Sequence, residues 1–123
     1  MLLDTCIVID VLRGRDAAFD FVLSLEDAPA LSAVTVTELV AGCRNVKERR
    51  EIDRLLSHYV IHDIDRDIAG LAGDYVRQYG PSHGTDPIDA LIAATAKTMS
   101  LPLATLNVKH FPMLAGLKRP YRT

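Results

Sequence analysis

The amino-acid sequence predicts an α/β domain built on a mostly parallel β-sheet. Two observations carry the prediction. Short apolar runs of strand length recur between longer segments whose apolar residues are spaced as on one face of a helix. The balance of 49% hydrophobic and 24% charged residues over 123 residues is that of an ordinary globular chain with one proper core. With no repeat, low-complexity tract or linker along it, a single domain over residues 1–123 is expected.

The first run, Met1 to Leu3, reads as a short buried strand that stops at Asp4. A short helix follows through Ile7, Val8 and Val11 to near Gly14. Phe19, Val22 and Leu23, with Phe21 and Leu25 nearby, make one helical face from about Asp16 to Leu25. Pro29 opens a second strand, Ala30 to Val34, and the next helix runs from Thr35 to about Gly42, where glycine suits a helix stop. The charged segment Val46–His58 gathers Ile52, Leu55 and Leu56 on one face and reads as a surface helix. Tyr59 to Ile61 is a third strand. Ile68, Leu71, Ala72, Tyr75 and Val76 belong to an amphipathic helix ending at Gly80. Gly80 to Thr85 is a loop on composition, the alanine-rich Asp86–Met99 segment a helix, and Leu101 to Thr105 a fourth strand. The tail from Asn107 onward is irregular apart from one short helix.

The net charge of −2 and pI near 6.0 give no bulk positive field, so a simple nucleic-acid-binding protein is disfavoured. Local clusters must supply any such contact, and Arg13, Arg15, Arg44, Lys47, Arg49 and Arg50 form the one that stands out. They read equally as phosphate contacts, as a solvated surface or as a landing area for an acidic partner segment. Cys6 and Cys43 have neither CxxC nor zinc-ligand spacing and are expected to be reduced and buried. His58, His62 and His83 show no ligand pattern. Asp4 breaks the first apolar run, so no secretory leader is expected, and no apolar stretch nears the roughly 20 residues of a membrane span. A soluble, cytoplasmic protein is the expectation.

Three acids share one topological feature. Asp4 and Glu38 each fall just past a predicted strand, in the first turn of the following helix, and Asp89 falls in the first turn of the alanine-rich helix. In an open parallel sheet the carboxyl ends of the strands point one way and ligands bind in the crevice there. Carboxylates gathered at such an edge repel one another unless a cation sits between them, and a hard divalent ion such as Mg²⁺ suits oxygen donors. Such an ion acidifies water and stabilises charge on a phosphodiester. Each acid also has a purely structural reading. Asp4 caps the first short helix. Thr35-Val36-Thr37-Glu38 is a capping box in which Glu38 bonds back to its own N-cap. Asp86-Pro87-Ile88-Asp89 is sound helix-start chemistry. Spacing alone leaves both readings open.

Four segments together resemble a known family. Leu2-Leu3-Asp4-Thr5-Cys6-Ile7-Val8-Ile9-Asp10 is similar to the opening of a PIN domain. Ser32-Ala33-Val34-Thr35-Val36-Thr37-Glu38-Leu39, with Gly42 behind it, resembles the second motif of that family. Asp89-Ala90-Leu91-Ile92-Ala93-Ala94-Thr95-Ala96 resembles the third and Thr105-Leu106-Asn107-Val108-Lys109-His110-Phe111 the last. They occur in family order from Leu2 to Phe111, and the chain length suggests the VapC type, the toxin half of VapBC toxin–antitoxin pairs.

The resemblance implies a three-layer α/β/α fold around a central, mostly parallel sheet. It implies a Mg²⁺-dependent endoribonuclease, with Mn²⁺ as a substitute, that leaves a 5′-phosphate and a 3′-hydroxyl. It further implies a cognate VapB-type antitoxin and a homodimer. Carried over by position, Asp4, Glu38 and Asp89 bind the metal, and Asn107 joins them in the catalytic set. Asp89 is preferred to Asp86 because it directly precedes the Ala-Leu-Ile-Ala-Ala run. Thr5, Thr37, Asp86 and Thr105 would support the acids from behind. Lys109 and His110, read from the residues themselves, are either substrate contacts near the site or, more simply, part of an exposed loop. Family members often carry a further acid near Asn107, so a second, tightly held metal is not expected here. Three other functions remain open on the sequence: a receiver-like signalling domain that phosphorylates an aspartate, a catalytically inactive PIN-like interaction module, and an RNA-processing PIN nuclease without an antitoxin.

Overall fold

Leu2 and Leu3 form strand β1, and both are wholly shut off from solvent, as in a central parallel strand covered on both faces. The computed structural model, which describes residues 1–122, sets three further strands beside it: β2 (Ala30–Ser32), β3 (Val60–His62) and β4 (Leu103–Ala104). All pair in parallel in the order β3-β2-β1-β4, with Leu2 opposite both Ala30 and Leu103. Because successive strand residues point to opposite faces, Leu2, Ala30 and Leu103 enter one core while Leu3, Leu31 and Ala104 enter the other.

The helices are α1 (Thr5–Leu12), α2 (Asp16–Leu23), α3 (Ala33–Ala41), α4 (Val46–Leu56), α5 (Arg66–His83) and α6 (Pro87–Thr98). Helix α6 covers the first core with Ile92, Ala93 and Ala96, and α1, α3 and α4 cover the second with Ile7, Val8, Leu39 and Ile52. The architecture is therefore a three-layer α/β/α arrangement, as expected. Helix α5 packs on α6, where Ile68 and Ala72 meet Ala90 and Ala94. A 3₁₀ turn over Val108–His110 follows β4. Among the described residues no helix is long and apolar enough to cross a membrane.

The boundaries differ from expectation in two places that matter. Strand β2 ends at Ser32 rather than Val34, because the Ser32 hydroxyl accepts the Val34 N–H at 3.2 Å and starts α3 two residues early. Thr35 is then interior to the helix, and Glu38 stands a turn beyond the first one. The capping-box reading of Thr35 and Glu38 is overturned, as is the placement of Glu38 in the first turn. The expected loop over Gly80–Thr85 is also mostly helix, since α5 runs through Gly80 and Pro81 to His83. Pro81 has no N–H to return to the Arg77 carbonyl, yet the helix continues past it, and the true stop is Gly84, at φ +66°, a conformation glycine adopts freely. Gly80 serves another purpose: a Cβ there would stand 3.3 Å from the Thr85 carbonyl. The remaining strands are shorter than expected or shifted by a residue, as is usual at element ends.

Candidate active site

Sequence order and sheet order part company on either side of β1. From β1 the chain steps outward to β2 and β3, then returns to place β4 on the other flank. The crevice between β1 and β4 is thus a topological switch point, where ligands bind in such sheets. Asp4 emerges there from β1 and Thr105 from β4. The Asp4 N–H still bonds the Ala104 carbonyl at 2.9 Å. Beyond it the aspartate caps α1, Oδ1 accepting the Thr5 N–H at 2.8 Å. Its Oδ2 accepts the Thr105 hydroxyl at 2.6 Å and the Cys6 thiol at 3.5 Å. Asp4 is therefore both a cap and a member of the cavity, at only 4% exposure.

Glu38 arrives from α3, after β2. Its Oε1 accepts the Thr5 hydroxyl at 2.6 Å, so Thr5 ties Asp4 to Glu38, through its backbone to one and its side chain to the other. The third acid comes from α6, which follows a helix rather than a strand. Asp86 caps α6 by accepting the Asp89 N–H at 2.8 Å, with Pro87 as the first helical residue. That cap orients the first turn, and Asp89 Oδ2 then lies 3.3 Å from His110 Nδ1 on the 3₁₀ turn. Buried Thr85 steadies this turn by donating to the His110 carbonyl at 2.8 Å. Asp4, Glu38, Asp86, Asp89 and Asn107 line a single cavity of about 220 Å³.

Burial raises both Asp4 and Asp89, and neighbouring negative charge adds to it at Asp89. Burial pushes the Asp4 carboxyl up, against the pull of its Thr105, Cys6 and Thr5 hydrogen bonds. Burial first, and then the charges of Asp86 and Asp4, raise Asp89 to about 6. Burial and the Asp4 charge raise the Cys6 thiol to about 12, so it stays protonated near neutral pH, which disfavours a nucleophilic role. Both cysteines are free and half-buried rather than buried as expected.

The donor set fits a hard divalent cation in kind: carboxylate and amide oxygens with charge that a cation would relieve. Among the described residues no three His, Cys, Asp or Glu side chains are arranged to hold an ion as they stand. Glu38 is turned onto Thr5, Asp89 toward His110 and Asp4 onto Thr105. Asp4, Glu38 and Asp89 are the side chains that would hold the ion, with Asn107 at the mouth.

Of the supporting residues read from sequence, the structure brings in Thr5, Asp86 and Thr105 and leaves out Thr37, which is exposed and outside the cavity. The residue it supplies instead is Thr35, whose hydroxyl lies 2.9 Å from that of Thr5. The spacing offers a signal after the fact, since residues three apart share a helix face with Glu38 and those one apart do not. His110 reaches Asp89 itself, while Lys109 stays exposed. The basic cluster is partly neutralised: Arg44 pairs with Glu48, Arg49 with Asp53 and Arg15 with Asp10. Arg13 and Arg44 line a second cavity, of about 530 Å³, which shares Ile9 and Glu38 with the first.

Residues 1–116 match the model of the PIN domain. The chain is 45% identical over 124 residues to "Ribonuclease VapC10" of Mycobacterium tuberculosis, covering 98% of this chain and 92% of that protein. It is 40% identical over 124 residues to "Ribonuclease VapC19" of the same organism, covering 98% of each. Among solved structures, a toxin–antitoxin complex from Klebsiella pneumoniae contains a chain that matches at a TM-score of 0.85 and 30% identity, over 99% of this chain and 98% of that one.

Proposed function

The chain belongs to the PIN-domain family, and we propose that it is a VapC-type ribonuclease toxin that hydrolyses RNA phosphodiesters with the help of a divalent cation. The observation that carries this reading is the meeting of side chains from four separate segments in one polar cavity at the switch point. Mg²⁺, or Mn²⁺ in its place, would be held by Asp4, Glu38 and Asp89. When bound, the ion supplies a Lewis acid for the phosphate and makes a nearby water more acidic.

The chain's own residues do the rest. Thr105 and the Thr5 N–H hold Asp4 in one orientation. Glu38 keeps Oε1 on Thr5, which leaves Oε2 either to face the ion or to orient an attacking water and take its proton. Asn107, at the exposed mouth, donates its amide N–H to a phosphate oxygen. Attack forms the new P–O bond as the P–O3′ bond breaks, and the 3′ oxygen takes a proton from solvent water, leaving a 5′-phosphate and a 3′-hydroxyl. The relatives named ribonucleases and the structural match to a toxin–antitoxin complex support a toxin restrained by a VapB-type antitoxin. In this reading it acts in the cytoplasm as a homodimer.

The test is cleavage of an RNA oligonucleotide by wild type and Asp4→Asn, in Mg²⁺ and in EDTA. Asparagine caps helices as well as aspartate does, so the fold is retained. The expected loss of rate is at least roughly a thousandfold. Undiminished cleavage by the variant, or by wild type in EDTA, overturns the proposal.

A further inference from the structure

We propose that Thr35 is a positioning residue for Glu38, acting through the Thr5 hydroxyl, and that its hydroxyl rather than its volume is what the fold requires. The inference rests on the ribonuclease reading above and extends it to a residue that never touches substrate.

Thr35 sits inside α3 with no exposed surface. A threonine buried in a helix commonly satisfies its hydroxyl by bonding the carbonyl four residues back. Thr95 does so in α6, donating to the Leu91 carbonyl at 2.7 Å. Thr35 is the third residue of α3, so the residue four back, Leu31, lies in β2 and that intrahelical bond is not open to it. Its hydroxyl is aimed across the layer at Thr5 on α1, 2.9 Å away, and Thr5 in turn stands 2.6 Å from Glu38 Oε1.

Proton counting gives this chain a direction. Each hydroxyl has one proton to donate, and an ionised carboxylate only accepts. The Thr5 proton is therefore committed to Glu38, and the Thr5 oxygen must accept from Thr35. No buried side-chain nitrogen or oxygen among the described residues lacks a partner, and the order Thr35 to Thr5 to Glu38 is compatible with that. Linked donors polarise one another, so the second hydroxyl strengthens the first and removes the rotational freedom Thr5 would otherwise have. Glu38 is exposed and would otherwise be free to choose among rotamers. Its anchorage on α3 thus comes from a residue one turn back on the same helix, by way of another helix. Valine fills the same volume and lacks the hydroxyl, which makes Thr35→Val the incisive change and Thr35→Ser its control.

Three readouts test this: the melting temperature, the rate of RNA cleavage in Mg²⁺, and Mn²⁺ affinity by titration calorimetry without RNA. Thr35→Val should fold, cleave about tenfold more slowly and bind Mn²⁺ more weakly. Thr35→Ser should stay within about twofold of wild type in both. If Thr35→Val matches wild type, or if Thr35→Ser falls as far as Thr35→Val, Thr35 is a packing residue and the proposal is wrong. A crystal structure of Thr35→Val decides the matter independently of any activity. The proposal requires Glu38 to leave the Thr5 contact or to populate a second rotamer, and an undisturbed contact overturns it. Failure of wild type to cleave RNA overturns the functional reading instead and leaves this structural arm standing.

Discussion

Two cavities of this protein differ in size and chemistry, and the smaller gathers the candidate site residues. The switch-point cavity, about 220 Å³, is lined by Asp4, Glu38, Asp86, Asp89 and Asn107. The groove where Val11 of α1, Phe19, Val22 and Leu23 of α2 and Leu55 of α4 come together is about 600 Å³ and mostly apolar. Phe19 and Leu23 are 52% and 67% exposed there. An apolar groove can contribute only contact area, whose energy is non-directional. A small cavity that crowds carboxylates stores electrostatic cost, and that cost is released when a cation or a proton enters. Volume therefore says little about where the chemistry is, and the raised pKa of Asp89 says more.

The largest effect that would break this contrast is at Asp89. Its folded-state pKa of about 6 lies above the ordinary 3.8, so ionisation costs stability in the folded state. The penalty is absent at low pH, grows as pH rises from the unfolded toward the folded value, and is complete above the latter. Asp89 is also one of the side chains that would hold the ion, so Asp89→Asn should lose cleavage roughly a thousandfold. In EDTA at about pH 8 it should melt about 2–4 °C above wild type, with no gain at about pH 4. A lower melting temperature at the higher pH would show that Asp89 is not crowded.

An intermediate effect is expected at Thr105, the shortest donor to Asp4. Thr105→Val keeps the volume, leaves buried Asp4 with fewer donors, and should cost about 1–2 kcal/mol in denaturant unfolding. Cleavage should fall about tenfold with it. Unchanged cleavage would mean that Asp4 is held well enough by its cap alone. The smallest effect belongs to the groove. Leu23→Ser should shift stability by no more than about 0.5 kcal/mol and leave cleavage within about twofold. A large loss of activity from so exposed a residue would join the two regions and end the contrast.

Much of the fold was legible along the chain. Leu2-Leu3 reads as a buried strand because it is apolar at both positions, and it is buried on both faces. The alanine-rich helix is readable because Asp86, Pro87 and Asp89 supply its cap, first residue and first-turn acid in consecutive order. The start of α3 was not legible. Ser32 and Thr35 are comparable caps, and the choice went to the residue at which β2 ran out of partners. That three-residue difference turned Thr35 inward and freed Glu38 from a capping role. The continuation of α5 through Pro81 was hidden for a similar reason. Gly80, which looks like a stop, answers to the close carbonyl of Thr85, a contact made from beyond the helix end.

Local spacing determined the α/β class and the helix starts set by adjacent residues, which follow from interactions within a few positions of the chain. The set Asp4, Glu38, Asp89 and Asn107 was singled out by the resemblance of four ordered segments to the PIN family, where spacing alone left two readings open. The strand order, the pairing of Thr105 with Asp4 and of His110 with Asp89, and the chain of hydroxyls from Thr35 to Glu38 were decided only by tertiary structure. Thr105 and Asp4 are 101 positions apart and Thr35 and Thr5 are 30 apart. A hydroxyl chooses its acceptor by distance and direction in space, and those are settled only when the layers close on the sheet.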